Sequence, residues 1–272
     1  MVVNDWPGLG KAAASINIPI LNAAGYEVAF LPTLLLSTHT GYEGFQVRSM
    51  GSSFMAFAEH WRQQDVSYPA IVSGYFESAA QINDFVGYLS KIRQDQAQDA
   101  LVIADPIMAE GGALYPGFTQ EIVEGMRRLV GEADIILPNI TEAYLLAGQA
   151  YQAHPDEAAL THLAVDLHQL GPATVVITGV RQGDQIGFFV SRRGQAPVYI
   201  LHAHFETEYC GTGDTAMSLM VAFLLGGHDL EQSLALTSQL LEEAMAVSYQ
   251  QQRTVNMGIN FEQILPRIHD LM

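Results

Sequence analysis

The sequence predicts an α/β protein built in three layers, αβα, around a mostly parallel central sheet. Three observations carry this. First, short apolar runs ending in turn residues recur: residues 27–37 (EVAFLPTLLLS), 70–75 (AIVSGY), 100–106 (ALVIADP), 133–139 (ADIILPN) and 174–179 (TVVITG). Continuous rather than alternating apolar character marks strands covered on both faces, as in parallel sheets. Second, helical patterns lie between them, at 10–24, 52–64, 79–94, 118–129 and 156–170. Such alternation means βα units, with helices on both faces of a sheet. Third, 49% of the 272 residues are hydrophobic, enough to fill a large core and exclude general disorder.

Taken in order, the first strand has only Val2 and Val3 as apolar residues, short of the roughly five or six usual for a strand, so a truncated first strand is expected. Near the other end, QIGFFVSR and APVYILHA flank Arg193-Gly194-Gln195 and read as an antiparallel hairpin. Long helices are expected from Thr212, from Leu230 and from Phe261. No repeat of about 20–50 residues, low-complexity tract or linker interrupts the chain, so one domain over 1–272 is the economical expectation.

Twenty-nine acidic against 12 basic residues give a net charge of -17, which repels DNA, RNA and anionic lipid. The longest apolar run, AMSLMVAFLL from Ala216, is far short of the ~20 residues a membrane span needs. MVVNDWPG has no charged segment followed by an apolar one, so no signal peptide is expected. The single cysteine, Cys210, excludes an internal disulfide and fits a reducing cytosol.

Several stretches invite chemistry. PGLGKAAAS resembles the end of a phosphate loop, but Asp5 stands where the first glycine belongs and Ala12 replaces the magnesium-binding hydroxyl. Ala13 likewise spoils GxGxxG, leaving Gly8 and Gly10 as a strand-to-helix turn or a tight loop under a flat ligand. GTGD, opening an apolar helix, is stronger. The amides of Gly211, Thr212, Gly213 and Asp214 can form a concave anion site at a helix N-terminus. Asp214 beside it can take a proton from a hydroxyl attacking phosphorus, or simply complement the helix dipole.

In open α/β sheets, ligands bind beyond the carboxyl ends of the strands. The polar residues expected there are Asp105 and Glu110, Asn139 and Glu142, Thr178, and His39 with Thr40. Asp105 and Glu110 offer hard oxygens that suit magnesium, often through water, if the chain turns at Gly111-Gly112; they also read as solvated turn acids. Asn139 or Thr141 can cap a helix whose first turn holds Glu142. The histidines show no zinc-binding spacing. Cys210 reads as a small packed thiol, and Arg192 with Arg193 as a solvated hairpin tip.

Together, PILNAAGYEVAFLPTLLLSTHTGYEG, AIVSGYFES, DPIMAEGGALYPGF, ADIILPNITEAYLLAG and GTGD resemble, in order, the pyridoxal (pyridoxine, pyridoxamine) kinases of the ribokinase superfamily. The resemblance covers nearly the whole chain. It implies a ribokinase-like fold and transfer of the ATP γ-phosphoryl group to the 5′-hydroxymethyl of a B6 vitamer. It makes Asp214 the catalytic base and Gly211, Thr212 and Gly213 the anion hole. Asp105, Asn139, Glu142 and Thr178 match ATP-side positions, and Asp105, Glu110 and Glu142 would serve Mg2+. Asp5, His39, Thr40, Tyr75 and Asp214 match the substrate side. The resemblance also implies a homodimer, with monovalent-cation dependence left open, and the single cysteine leads to the expectation of a cytoplasmic protein. One departure is Ala109-Glu110 where the family commonly has Gly-Asp; glutamate keeps the charge and reaches one methylene further. Two other readings stand beside it. A hydroxymethylpyrimidine kinase shares the fold but tends to carry cysteine where this chain has Asp214. A non-catalytic B6- or nucleotide-binding protein would not need that base.

Overall fold

The computed structural model describes residues 1–94 and 99–272. In chain order the elements are β1 (Val2–Pro7), α1 (Ala14–Ala23), β2 (Phe30–Leu36), β3 (Val47–Ser49), α2 (Ser53–Gln63), β4 (Ala70–Ser73), α3 (Ala79–Gln94), β5 (Leu101–Ala104), β6 (Ala109–Glu110), β7 (Ala113–Leu114), α4 (Gln120–Gly131), β8 (Ile135–Ile136), α5 (Ile140–Ala147), α6 (Glu157–Leu170), β9 (Thr174–Gln182), β10 (Gln185–Arg192), β11 (Val198–Ala203), α7 (Thr212–Leu225), α8 (Leu230–Gln250) and α9 (Leu265–Leu271). The class is the expected layered α/β: nine described strands are sheet strands, mostly parallel, while β6 and β7 form a separate hairpin.

The chain divides into two compact units. The first comprises residues 1–50, 182–186 and 200–272. Here β1 pairs parallel with β2, and β2 antiparallel with β3. Helix α7 packs against α1 and α8, and its residues 215–223 are buried all round, which explains its lack of a polar face. Strand β1 corrects the expectation of a truncated first strand. It runs six residues because Asn4 and Asp5, polar and invisible to an apolar pattern, are buried within it. Helix α1 starts four residues later than expected, at Ala14, because Gly10 (φ 97°) and Ala13 (φ 52°) hold the preceding loop out of helical geometry. No long helix starts at Phe261: residues 261–263 make one 3-10 turn, and α9 is only seven residues, with Pro266 in its first turn.

The second unit comprises residues 51–181 and 187–199. Strands β4, β5, β8 and β9 are parallel neighbours in that order. Strand β10 follows β9 and then β11, as the Arg193-Gly194-Gln195 hairpin requires. Helix α5 begins with a full capping box: Asn139 Oδ1 accepts from Glu142 N, and Glu142 Oε2 from Asn139 N, both over 2.9 Å. Asp156 caps α6. The β6–β7 turn at Gly111 (φ 59°) and Gly112 (φ 85°) has the two positive φ values of a tight hairpin turn.

Candidate active site

In the first unit, chemistry gathers around the N-terminus of α7. Gly211 is the helix N-cap, with φ 83°. A side chain there would overlap Ile16 Cδ1 and lie 2.8 Å from the carbonyl oxygen of Lys11, so the fold itself demands glycine. Gly213 is different: a Cβ would meet nothing within 4 Å, and the residue is exposed. The first i→i−4 bond of the helix is Thr215 N to Gly211 O (2.9 Å), which leaves the preceding amides outside the helical ladder. Thr212 Oγ1 donates to Tyr209 O (2.8 Å) and so pins the turn into the helix.

Asp214 is half-buried, and both its oxygens are directed. Oδ2 accepts from Ala13 N at 2.8 Å, and Oδ1 from Asn4 Nδ2 at 3.4 Å. Burial pushes its carboxyl above the usual range, while these donors pull the other way. Asp5, on β1 next to Asn4, is 7% exposed, and burial followed by the charge of Asp214 raises its pKa to about 7. Cys210 is half-buried with its thiol pushed upward by burial, which suits a packed thiol better than a nucleophile.

His39 lies at the centre of a loop junction in the same unit. Nδ1 accepts from Gly41 N (3.1 Å), so Nε2 carries the proton and donates to Asn256 O (2.9 Å). Tyr42 packs on the ring at 4.9 Å and also donates to Asn256 O. A side chain at Gly10 would overlap the imidazole, so the glycine loop closes directly onto His39. With both nitrogens engaged and the residue 5% exposed, His39 holds this loop together, whereas Thr40 is exposed beside it. Lys11 pairs with Glu262 and lies over the Phe261 ring.

In the second unit, the expected polar residues also converge. Glu142 is 2% exposed, and its Oε1 accepts from Met108 N (3.0 Å). Both of its oxygens therefore accept from backbone amides, the pattern of a carboxylate built into the fold. Burial, opposed by those amides, pushes it up to about 8. Asn139 Nδ2 donates to Ala109 O (2.8 Å) and to Glu110 Oε2 (3.1 Å). Asn139 and Thr178 form a parallel bridge, and Thr178 N donates to Pro138 O (2.9 Å). Asp105 is buried at the end of β5, with its amide bonded to Ser73 O (2.9 Å). Tyr75 stacks on Phe118 at 5.3 Å.

Among the described residues, no group of three His, Cys, Asp or Glu side chains is close enough to hold a metal ion. Both oxygens of Glu142 are turned onto backbone amides. The donor set still fits magnesium of the kind that keeps several waters and binds mainly through substrate phosphates. It does not fit a cation caged by Asp105, Glu110 and Glu142 directly.

Apolar periodicity missed Asn4, Asn17 and Ser218, the buried polar residues behind Asp214. The available signal was polarity in the wrong place: an asparagine in the first strand, another inside SINI, and a serine inside AMSLM. Asn256, which closes the His39 junction, gave no signal.

A family model described as phosphomethylpyrimidine kinase matches residues 61–260. A pyridoxine/pyridoxal/pyridoxamine kinase from Bordetella avium is 29% identical over 246 residues, covering 87% of this chain and 81% of that protein. Pyridoxal kinase from Lactobacillus plantarum superposes with a TM-score of 0.92 at 34% identity, over 99% of this chain and 96% of that one. A Bacteroides thetaiotaomicron protein, provisionally assigned as a phosphomethylpyrimidine kinase and solved with pyridoxal, gives a TM-score of 0.92 at 30% identity, over 98% and 94%.

Proposed function

The chain belongs to the phosphomethylpyrimidine kinase family, and from that premise we propose that it transfers the ATP γ-phosphoryl group to the 5′-hydroxymethyl oxygen of a B6 vitamer. It is a kinase with the ribokinase-like fold, similar throughout its length to pyridoxal kinases. The observation that supports the residue assignment best is Asp214: a directed, half-buried carboxylate in the first turn of a helix whose neighbour Gly213 leaves open space.

Phosphoryl transfer asks the protein mainly for positioning and charge stabilisation. In this reading Asp214 takes the proton from the alcohol as it attacks phosphorus. Its raised pKa brings it nearer to that task than a solvated aspartate. The amides of Gly211, Thr212, Gly213 and Asp214 hold the equatorial phosphoryl oxygens, an effect worth ~3–4 kcal/mol per donor in comparable anion holes. Asp105, Asn139, Glu142 and Thr178 serve the nucleotide. Magnesium, when bound, would neutralise phosphate charge, with Asp105, Glu110 and Glu142 holding its waters. Asp5, Thr40 and Tyr75 serve the vitamer, and His39 holds the loop that presents Thr40. The whole chain, 1–272, acts as one catalytic domain in a cytosolic homodimer. Trp6 and Leu35, register partners on β1 and β2, leave apolar surface exposed for a second copy. No described helix is long and apolar enough to cross a membrane.

The deciding experiment is Asp214→Asn in an ATP-consumption assay with pyridoxal, pyridoxine, pyridoxamine and hydroxymethylpyrimidine side by side. Turnover is expected to fall at least ~100-fold with folding and ATP binding retained. Near-normal phosphorylation by the variant overturns the assignment of the base. The matched family model favours one second reading, a hydroxymethylpyrimidine (phosphate) kinase, which wild-type turnover of the pyrimidine alone would establish. ATP use with none of the four would point to a binding protein.

A further inference from the structure

Asp214 is held by a relay of buried amides that lies outside the GTGD motif. Asn4 on β1 is 0% exposed, Asn17 on α1 is 1% and Ser218 on α7 is 2%. Polar groups buried this deeply are costly unless each hydrogen-bonding atom is matched. Here the matching runs in one direction. Ser218 Oγ gives its proton to the carbonyl oxygen of Asp214 (2.7 Å), so it can only accept from Asn17 Nδ2, at 2.9 Å. That fixes which way the Asn17 amide points. Nδ2 also reaches the Asp214 carbonyl (3.4 Å), and Oδ1 is turned to accept from Asn4 Nδ2 at 3.0 Å. Asn4 is fixed a second time, because its Oδ1 accepts the backbone N–H of Asp5 (3.0 Å). Of the two hydrogens on Asn4 Nδ2, one goes to Asn17 and the other to Oδ1 of Asp214. An amide flip at either asparagine would set donor against donor.

We propose that Asn4 and Asn17 are positioning residues for phosphoryl transfer. Through the Ser218–Asn17–Asn4 relay they fix the Asp214 carboxylate so that one lone pair of Oδ1 remains aimed at the incoming hydroxyl. The inference rests on the kinase reading for its purpose, but not for its geometry. Ala13 fixes Oδ2 by a backbone amide, which any residue but proline supplies; Asn4 fixes Oδ1 by a side chain, so that half of the grip is encoded in the side-chain sequence. A purely structural asparagine pair would stabilise the β1–α1–α7 packing and leave the ionisation of Asp214 unchanged. A positioning pair must move it, since the Asn4 hydrogen bond favours the ionised form. The other titratable groups that act on this site are Asp5 on β1 and Cys210 before α7. Lys11, in the loop before α1, turns its amine to Glu262 instead.

The test combines titration and kinetics on the full chain. The 13Cγ resonance of Asp214, assigned by its loss in Asp214→Asn, is titrated in the wild type, Asn4→Leu and Ser218→Ala. Steady-state constants are measured for the same proteins with ATP and pyridoxal. In Asn4→Leu the Asp214 pKa is expected to rise by about one unit. kcat should fall about tenfold or more and KM for both substrates stay within about twofold, with the acidic limb of the kcat profile moving to higher pH. Ser218→Ala, which removes a single atom, should shift both in the same direction by a smaller amount and decides the matter if Asn4→Leu does not fold. A folded variant whose Asp214 titrates as in the wild type, with kcat within twofold, overturns the proposal. A wild type without kinase activity would sink the functional reading instead, while the titration still reports on the relay.

Discussion

Ala13 donates its backbone N–H to Oδ2 of Asp214 over 2.8 Å from a backbone with φ 52° and ψ −132°. Such a conformation costs an L-residue roughly 1–3 kcal/mol, and the strain lies at the carboxylate proposed as the catalytic base. Ala13→Gly should therefore remain within ~1 kcal/mol of the wild type, because relief of strain offsets the extra entropy glycine loses on folding. Its activity should persist. Ala13→Val, β-branched and 3% exposed at this site, should destabilise by ~2 kcal/mol or more and lower kcat. Urea denaturation with parallel kinetics checks both. A valine variant as stable and active as the wild type would mean that the loop carries no strain.

The two glycines of GTGD should part company. Gly211→Ala places a methyl group on Ile16 and beside the Lys11 carbonyl at a positive φ, so a loss of ~2–4 kcal/mol is expected in thermal unfolding. Gly213→Ala puts its methyl group into open space inside a helix, where alanine is favoured by up to ~1 kcal/mol. Stability should hold or rise, yet kcat/KM should drop, because the methyl group would stand in the approach to the proposed anion site. Full activity in Gly213→Ala would remove the phosphoryl group from that place.

Asp5 gives the pH dependence its sign. Burial and the neighbouring charge of Asp214 raise its pKa from 3.8 to about 7 in the folded chain. Between those values the folded state binds a proton that the unfolded state has released. Its contribution is thus present at acid pH and disappears as pH rises to about 7, at up to ~1.4 kcal/mol per unit. Asp5→Asn should match the wild type near pH 4 and exceed it by ~2–4 kcal/mol near pH 8. Denaturation midpoints across that range decide it, and a gap that does not widen with pH would place the ionised carboxylate comfortably in the fold.

Those three cases also mark what the sequence could and could not reveal. The layer order was legible because apolar runs and amphipathic segments alternate, and the start of α3 at Ala79 was read to the residue. GTGD was legible because glycine and aspartate are out of keeping with an apolar helix. What escaped was the burial of polar residues. Asn4 and Asp5 hid the middle of β1 from a pattern that counts only apolar side chains, since Asn4 finds its partners in Asn17 and Asp214, away in sequence. The loop at 10–13 escaped similarly. Ala13 is a good helix former by propensity, and its positive φ is imposed by the tertiary bond to Asp214. The small hairpin of β6 and β7 was anticipated as a turn at Gly111-Gly112, but strands of two residues are too short to announce themselves.

Glu142 and Glu110, which one reading of the sequence treats alike as metal acids, should behave differently. Glu142 is buried with amides of Asn139 and Met108 bonded to its two oxygens, and Glu110 is an exposed acid at a hairpin end. Glu142→Ala leaves those amides without acceptors and removes half of the α5 capping box, so it should destabilise by ~2–4 kcal/mol with or without nucleotide. Glu110→Ala gives up the exposed bond to Asn139 and should stay within ~0.5 kcal/mol. If Glu110 holds a water of the magnesium ion, its removal should instead raise the magnesium concentration needed for half-maximal turnover severalfold, at unchanged stability. Measuring thermal midpoints and magnesium dependence on the same preparations separates the two acids. A Glu142→Ala protein as stable as the wild type would show that the amides find other acceptors, and that the residue is placed for the metal rather than for the fold.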